Sequence, residues 1–275
     1  MTVSIADIQT AAARLRGEAV RTPLLEARAA SAATGARVFV KPEMLQRTGS
    51  FKFRGAMNRL SQLTAAERKR GVVAFSSGNH AQGVAAAAKA IGTRATIVMP
   101  SDAPKLKIAN TRGYGAEVVL YDRAKEDRAA IGKKLADEHG QTLVHPFDDE
   151  GVMAGQGTIG LELAEDASAM DVTLDAVLVP CSGGGLSAGV ATALAALSPA
   201  TKVHTVEPAA FDDMARSLAA GERLANPKGT PPSICDALLV DRPGERTFPV
   251  LKTLAGKGLA VTDDEALRAM AHAFF

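Results

Sequence analysis

The stretch "TGSFKFRGA", residues 48–56, sets Lys52 between two phenylalanines. Apolar neighbours disfavour an ammonium, so a lysine in such company reaches its neutral, nucleophilic form closer to neutral pH. An amine of that kind suits attack on a carbonyl. The competing reading is an amphipathic surface lysine, the commoner condition of this residue type. A second stretch, "CSGGGLSAG" at 181–189, follows an apolar run and opens a helix. Three successive glycines let several backbone N–H groups converge on one concavity, and the positive end of the following helix reinforces them. A phosphate is the natural guest, with Ser182 as an added hydroxyl donor. The alternative is a flexible turn or a close helix contact.

A Walker A loop needs GK[ST] at its end, which is missing. The dinucleotide fingerprint fails as well, because Gly183, Gly185 and Gly189 leave one residue too many. A third stretch, "SSGNH" at 76–80, combines two hydroxyls, a glycine, an amide and an imidazole at a helix start. It suits a small carboxylate, with backbone and hydroxyl donors and no full positive charge. The same residue types fill ordinary turns. An activated lysine, a phosphate loop without nucleotide hallmarks and a carboxylate-sized turn together suggest pyridoxal phosphate acting on an amino acid.

The elements that must position these residues follow one rhythm. "VVAF" (72–75), "ATIVMP" (95–100), "AEVVLY" (116–121), "TLVHP", "DAVLVP" (175–180) and "KVHTVEP" (202–208) read as strands. Ala-rich helical stretches alternate with them, one of them over about residues 123–139. Nearly continuous apolar strands between helices indicate parallel sheets buried on both faces. Ligands of such sheets bind beyond the carboxyl ends of the strands, where "SSGNH" and "CSGGG" stand.

The bulk numbers set limits. The 275 residues suffice for two modest domains or one large α/β domain. A content of 47% hydrophobic and 23% charged residues describes an ordinary globular chain. With 32 basic and 30 acidic residues the net charge is +2, and no basic run suggests nucleic acid. Cys181 and Cys235 form no CxxC pair, so neither a disulfide framework nor a cysteine zinc site is indicated, and a reducing cytoplasm is expected. No apolar run reaches a membrane span, and the charged N-terminal stretch is no secretory signal. His139, His145, His204 and His272 lack metal spacing and read as surface or packing residues. The chain ends on two phenylalanines with no cap, which suggests a piece of a longer parent.

"SFKFRGA", "SSGNHAQGVA", "MPSDAPKLKIANTRGYGAEVV", "HPFDDEGVMAGQGTIGLE" and "CSGGGLSAG" together resemble the serine/threonine dehydratases and serine racemases. These are fold type II pyridoxal-phosphate enzymes, of the tryptophan-synthase-β-like group. The resemblance runs from about residue 5 to the end and implies an α/β architecture. Two open, twisted, mostly parallel sheets would be flanked by helices, with the cofactor in an interdomain cleft. Residues 1–52 and 147–275 would form the larger, cofactor-binding domain, and 53–146 the smaller, substrate-side one. Homodimers occur in the family, though nothing in this sequence speaks for one independently.

The resemblance also assigns roles. Lys52 would form the Schiff base and take the α-proton, and Phe51 would lie against the cofactor ring. Asn79 would bond the pyridine 3-hydroxyl, and Ser182, Gly183, Gly184, Gly185 and Leu186 would hold the phosphate. Ser76, Ser77, Gly78, Asn79 and His80 would receive the substrate carboxylate, with Ser77 as the acid/base group on the face opposite Lys52. Glu207, Asp213 and the carbonyl of Phe211 match the divalent-cation site of serine racemases, suited to Mg²⁺ or Ca²⁺. The plain alternative there is an acidic helix start. Phe147 stands where racemases carry asparagine, which tilts the expected activity towards dehydration of threonine or serine to a 2-keto acid and ammonia. Serine racemization, or dehydration of hydroxyaspartate or phenylserine, stays open, with Arg47, Arg54 or a residue of "YDRAKEDR" as the holder of a second carboxylate. Ser182 replaces the first glycine of the family's phosphate loop. A non-catalytic amino-acid or cofactor-binding protein is the reading from a different class.

Overall fold

The structure, a computed structural model, describes residues 3–274. Its chain divides into two compact units, one of residues 6–20 and 43–156, the other of 1–5, 21–42 and 157–275. Lys52 therefore shares a unit with the Ser76–His80 turn, whereas the glycine run lies in the other.

The first unit is built on a four-stranded parallel sheet. Its strand order is Glu117–Tyr121, Ala95–Pro100, Val72–Phe75, Thr142–Leu143. The two central strands are buried along their whole length, as their unbroken apolar sequence requires. The helices Asn79–Ile91, Lys105–Gly113 and Arg128–His139 connect consecutive strands. The last is shorter than expected: Asp127 caps it by accepting from the N–H of Ala129, and the preceding residues, with a turn at 123–125, are not helical.

A further helix, Lys52–Ser61, lies against Asn79–Ile91. The contact is close enough that a Cβ on Gly83 would meet the carbonyl carbon of Lys52 at 3.1 Å. Gly83 thus lets the backbone that carries Lys52 settle on the helix that begins at the Ser76–His80 turn.

The second unit holds a three-stranded parallel sheet ordered Ala176–Pro180, Lys202–Pro208, Ala255–Val261. The helix Gly185–Leu197 packs against it with nine buried residues, all small or apolar apart from Ser187 and Thr192. A small antiparallel pair, Leu25–Glu26 with Phe39–Val40, completes this unit's sheets. Among the described residues no helix is long and apolar enough to cross a membrane.

Candidate active site

Lys52 is the first residue of its helix, where the aligned peptide dipoles disfavour a cation. Its Nζ donates to the carbonyl oxygen of Pro146 at 2.8 Å and lies 5.2 Å from the centre of the Phe51 ring. Burial lowers its pKa from 10.5 to about 8. At pH 7 roughly one such amine in ten is neutral, against fewer than about one in a thousand for an ordinary lysine. The two phenylalanines divide the work: Phe53 is in the core and Phe51 lies beside the amine. Two residues on, fully buried Arg54 pairs with Glu43 at 2.8 Å and fixes the first turn of the helix.

The Ser76–His80 turn follows the strand Val72–Phe75. The N–H of Ser76 still bonds across the sheet to Val98, and that of Gly78 bonds to the Ser76 hydroxyl. The next inward bond runs from Gln82 N–H to the Gly78 carbonyl. The N–H groups of Ser77, Asn79, His80 and Ala81 therefore have no acceptor among the described residues. Four unmet donors at the start of a 13-residue helix make a ready seat for a carboxylate.

The sequence missed one participant here. The side chain of Lys107 lies over Gly78, so a Cβ at that glycine would meet its Cδ at 3.0 Å and its Nζ at 3.2 Å. The turn thus has a full positive charge beside it, where donors alone were expected. Lys107 gave no sequence signal, because a lysine in a surface helix is ordinary. The His80 side chain does not open into the turn. Its ring is buried, with Nε2 3.0 Å from the Val144 carbonyl, and its pKa falls to about 3, chiefly through burial.

In the other unit, Cys181 N–H makes the last sheet bond, to Val206, and the first helical bond runs from Ala188 to Gly184. The N–H groups of residues 182–187 have no acceptor among the described residues. Gly184 has φ +94°, and a Cβ there would meet Met214 Cε at 2.8 Å and Thr247 Oγ1 at 2.9 Å. Thr247 in turn donates its hydroxyl to the Gly183 carbonyl. Only glycine satisfies both the backbone angle and the space.

Glu207 and Asp213 are both buried. Glu207 accepts from the N–H groups of Met214 and Ala215, and Asp213 accepts from Asn226 through Oδ1. Burial raises their pKa values to about 8 and about 7, with Asp213 raising Glu207 further. Asp213 Oδ2 is buried without a hydrogen-bond partner. Among the described residues no three side chains of the His, Cys, Asp and Glu types cluster as a metal site. The expected set differs in kind, being two carboxylates and a backbone carbonyl.

Comparison with known proteins decides what these sites belong to. The profile described as "Pyridoxal-phosphate dependent enzyme" matches residues 15–274. The chain belongs to the pyridoxal-phosphate dependent enzymes. It is 49% identical over 264 residues to an L-threo-3-hydroxyaspartate ammonia-lyase of Pseudomonas sp, covering 96% of this chain and 81% of that one. It is 43% identical over 269 residues to a catabolic L-threonine dehydratase of Staphylococcus aureus, covering 98% and 76%. Among solved structures, a threonine deaminase of T.th. superposes with a TM-score of 0.92 at 46% identity, covering 98% of this chain and 86% of that one. The serine racemase of Dictyostelium discoideum gives 0.91 at 38%, covering 100% and 86%.

The residues present fit the family's cofactor on two independent grounds. The six unmet N–H groups of 182–187, on a loop whose turn at Gly184 admits no side chain, match a phosphate. The lowered pKa of Lys52 matches an aldehyde. In the acidic pair, burial favours the protonated forms, and Asp213 Oδ2 is left without a hydrogen-bond partner.

Proposed function

We propose that the chain is a pyridoxal-phosphate-dependent dehydratase that converts a β-hydroxy amino acid to a 2-keto acid and ammonia, with 3-hydroxyaspartate ahead of threonine and serine as substrate. The observation that carries this reading is the Lys52 amine, whose pKa burial lowers to about 8 and which donates to the Pro146 carbonyl, its one hydrogen-bond partner among the described residues. Bound pyridoxal phosphate supplies the electron sink that makes the α-proton acidic. Residues 182–186 would hold its phosphate, with Phe51 beside its ring and Asn79 as the partner of its 3-hydroxyl. The neutral amine of Lys52 removes the α-proton. The turn of Ser76, Ser77, Gly78, Asn79 and His80 seats the substrate carboxylate, on the unmet backbone N–H groups of Ser77, Asn79 and His80, with the Lys107 side chain alongside. Loss of the β-hydroxyl as water, followed by addition of water at the α-carbon, releases ammonia and balances the reaction. Ser77, whose hydroxyl lies in the turn, is the acid/base group through which a racemase side activity would run.

The order of substrates rests on Arg128. Arg47 lies over the Phe53 ring and faces Glu18, and Arg54 is consumed by Glu43. Arg128 is half-buried and sits 5.8 Å above the Phe75 ring, with no carboxylate partner among the described residues. Phe75 stacks edge-on against His145, and both Arg128 and Lys52 lie close enough to lower the pKa of that imidazole. The partly buried arginines Arg59, Arg216 and Arg223 all have carboxylate partners. An unpaired guanidinium near the reactive lysine suits the distal carboxylate of hydroxyaspartate, the substrate in the name of the Pseudomonas relative.

The reading makes 53–146 the substrate-side domain, with the remainder binding the cofactor. It also places a Mg²⁺ or Ca²⁺ ion on Glu207, Asp213 and the Phe211 carbonyl, and it assigns free Cys181 and Cys235 to a reducing cytoplasm. The test is keto-acid release from hydroxyaspartate, threonine and serine by the parent and by Arg128→Leu. The variant is expected to lose roughly 100-fold in kcat/KM on hydroxyaspartate and to stay within about threefold on threonine. Equal losses on both substrates, or none, would contradict the order; no keto acid from any substrate would contradict the activity.

A further inference from the structure

We propose that His80 is the positioning residue of the Lys52 amine, acting through the backbone of residues 144–147 rather than on the substrate. The inference rests on the reading of Lys52 as the reactive lysine and adds what keeps that lysine in place. A carbonyl can only accept, so the 3.0 Å contact to Val144 fixes the proton on His80 Nε2. Val144 is thereby gripped from two sides, since its own N–H bonds to the Val73 carbonyl at 2.9 Å. Two residues further on, the Pro146 carbonyl receives the Lys52 ammonium or amine at 2.8 Å. Proline narrows the backbone choices of its own residue and of the one before it. His145 closes the far side, its Nδ1 accepting from Asp148 N–H at 2.9 Å and from Phe147 N–H at 3.4 Å, with its ring edge-on to Phe75 and Phe147.

The strand Thr142–Leu143 is only two residues long, so Val144–Phe147 has little sheet to hold it. His80 supplies the missing restraint, from the same helix that packs on the backbone of Lys52. One helix thus bears on both ends of the bond between Lys52 and Pro146, through Gly83 at the Lys52 backbone and through the His80 side chain at Val144. His80 Nδ1 is buried and has no partner among the described residues, which is the cost of committing Nε2 to the carbonyl. The charged and titratable groups around the amine are His80 on its helix and His145 on the loop. Asp148, Asp149 and Arg128 act on His145 in turn.

A core histidine that merely satisfies Val144 would affect folding and nothing else. The experiment therefore reads Lys52 itself. His80→Leu removes the donor, whereas His80→Gln places an amide N–H near the position of Nε2. Both are compared with the parent for the pH dependence of pyridoxal phosphate capture and for kcat and KM. In His80→Leu the capture midpoint should rise from about 8 by at least about one pH unit. Its kcat should fall at least about tenfold with KM within about twofold, and His80→Gln should restore most of both. A folded His80→Leu with the parental midpoint and kcat overturns the proposal, as does a His80→Gln no better than it. Should His80→Leu not fold, ¹⁵N-histidine spectra of the parent decide. A His80 signal of the Nε2–H tautomer that moves with the Lys52 midpoint supports the proposal, and one insensitive to it overturns the proposal. Mapping of the reduced adduct in the parent checks the Lys52 assignment separately, so the two failures are distinguishable.

Discussion

Replacing Lys52 by methionine should stabilise the cofactor-free chain, and should do so in a pH-dependent way. Burial moves the amine from 10.5 to about 8. At about 1.4 kcal/mol per pH unit, the folded chain bears about 3 kcal/mol of cost at pH 7 that the unfolded chain does not. Methionine has a similar length and no charge, so it removes that cost and forfeits the hydrogen bond to Pro146, worth about 1–2 kcal/mol. The net gain at pH 7 is about 1–2 kcal/mol. The direction with pH follows from proton counting. Between about 8 and 10.5 the unfolded parent holds a proton that the folded parent has lost, so parental stability rises with pH in that window. The advantage of Lys52→Met should shrink by about 2 kcal/mol between pH 7 and about pH 9.5. Urea unfolding of both cofactor-free proteins at the two pH values measures it. A difference between variant and parent that stays constant across that range would mean that the pKa of the amine is not lowered, and the explanation of its reactivity would fail.

Two further outcomes follow from the other unit. Gly184→Ala forces a side chain into a φ of +94° and against Met214 and Thr247. It should cost about 1–3 kcal/mol of stability and weaken cofactor binding at least about tenfold in a fluorescence titration; unchanged affinity would remove residues 182–187 from the phosphate site. Glu207 and Asp213 bind protons in the folded chain that the unfolded chain releases above its ordinary carboxylate range. Without a divalent cation, their contribution is full below about pH 4 and is lost as pH rises through about 7 to 8. Saturating Mg²⁺ or Ca²⁺ should therefore raise the melting temperature by about 5 °C at pH 8 and by little at pH 5, and Asp213→Asn should abolish the response. A melting temperature indifferent to cation and chelator at pH 8 would contradict the site.

How much of this was legible in the sequence depended on whether the signal was local. The strands Val72–Phe75 and Ala95–Pro100 were read to the residue, because an unbroken apolar run has one explanation in a sheet covered on both faces. Ala255–Val261 was not read, because two glycines and a lysine hide a strand whose reason for existing is its pairing with Lys202–Pro208. The glycine run at 183–185 announced unmet backbone donors, since glycine acts through its absence of side chain, and the donors are there. Lys107 gave nothing away, and Arg128 stood out only as one residue of "YDRAKEDR", the stretch named for a second carboxylate. Their meaning comes from lying over Gly78 and Phe75, 29 and 53 residues distant in the chain. His80 was legible as part of a turn but not as a buried ring tied to Val144, a partner that only the folded sheet brings near.

The most direct test of the central claim is an absorbance spectrum of the purified chain with pyridoxal phosphate, before and after borohydride reduction, followed by peptide mapping. The expected result is a near-visible band that reduction abolishes, with the label on Lys52. No band with added cofactor, or a label on any other lysine, would contradict it.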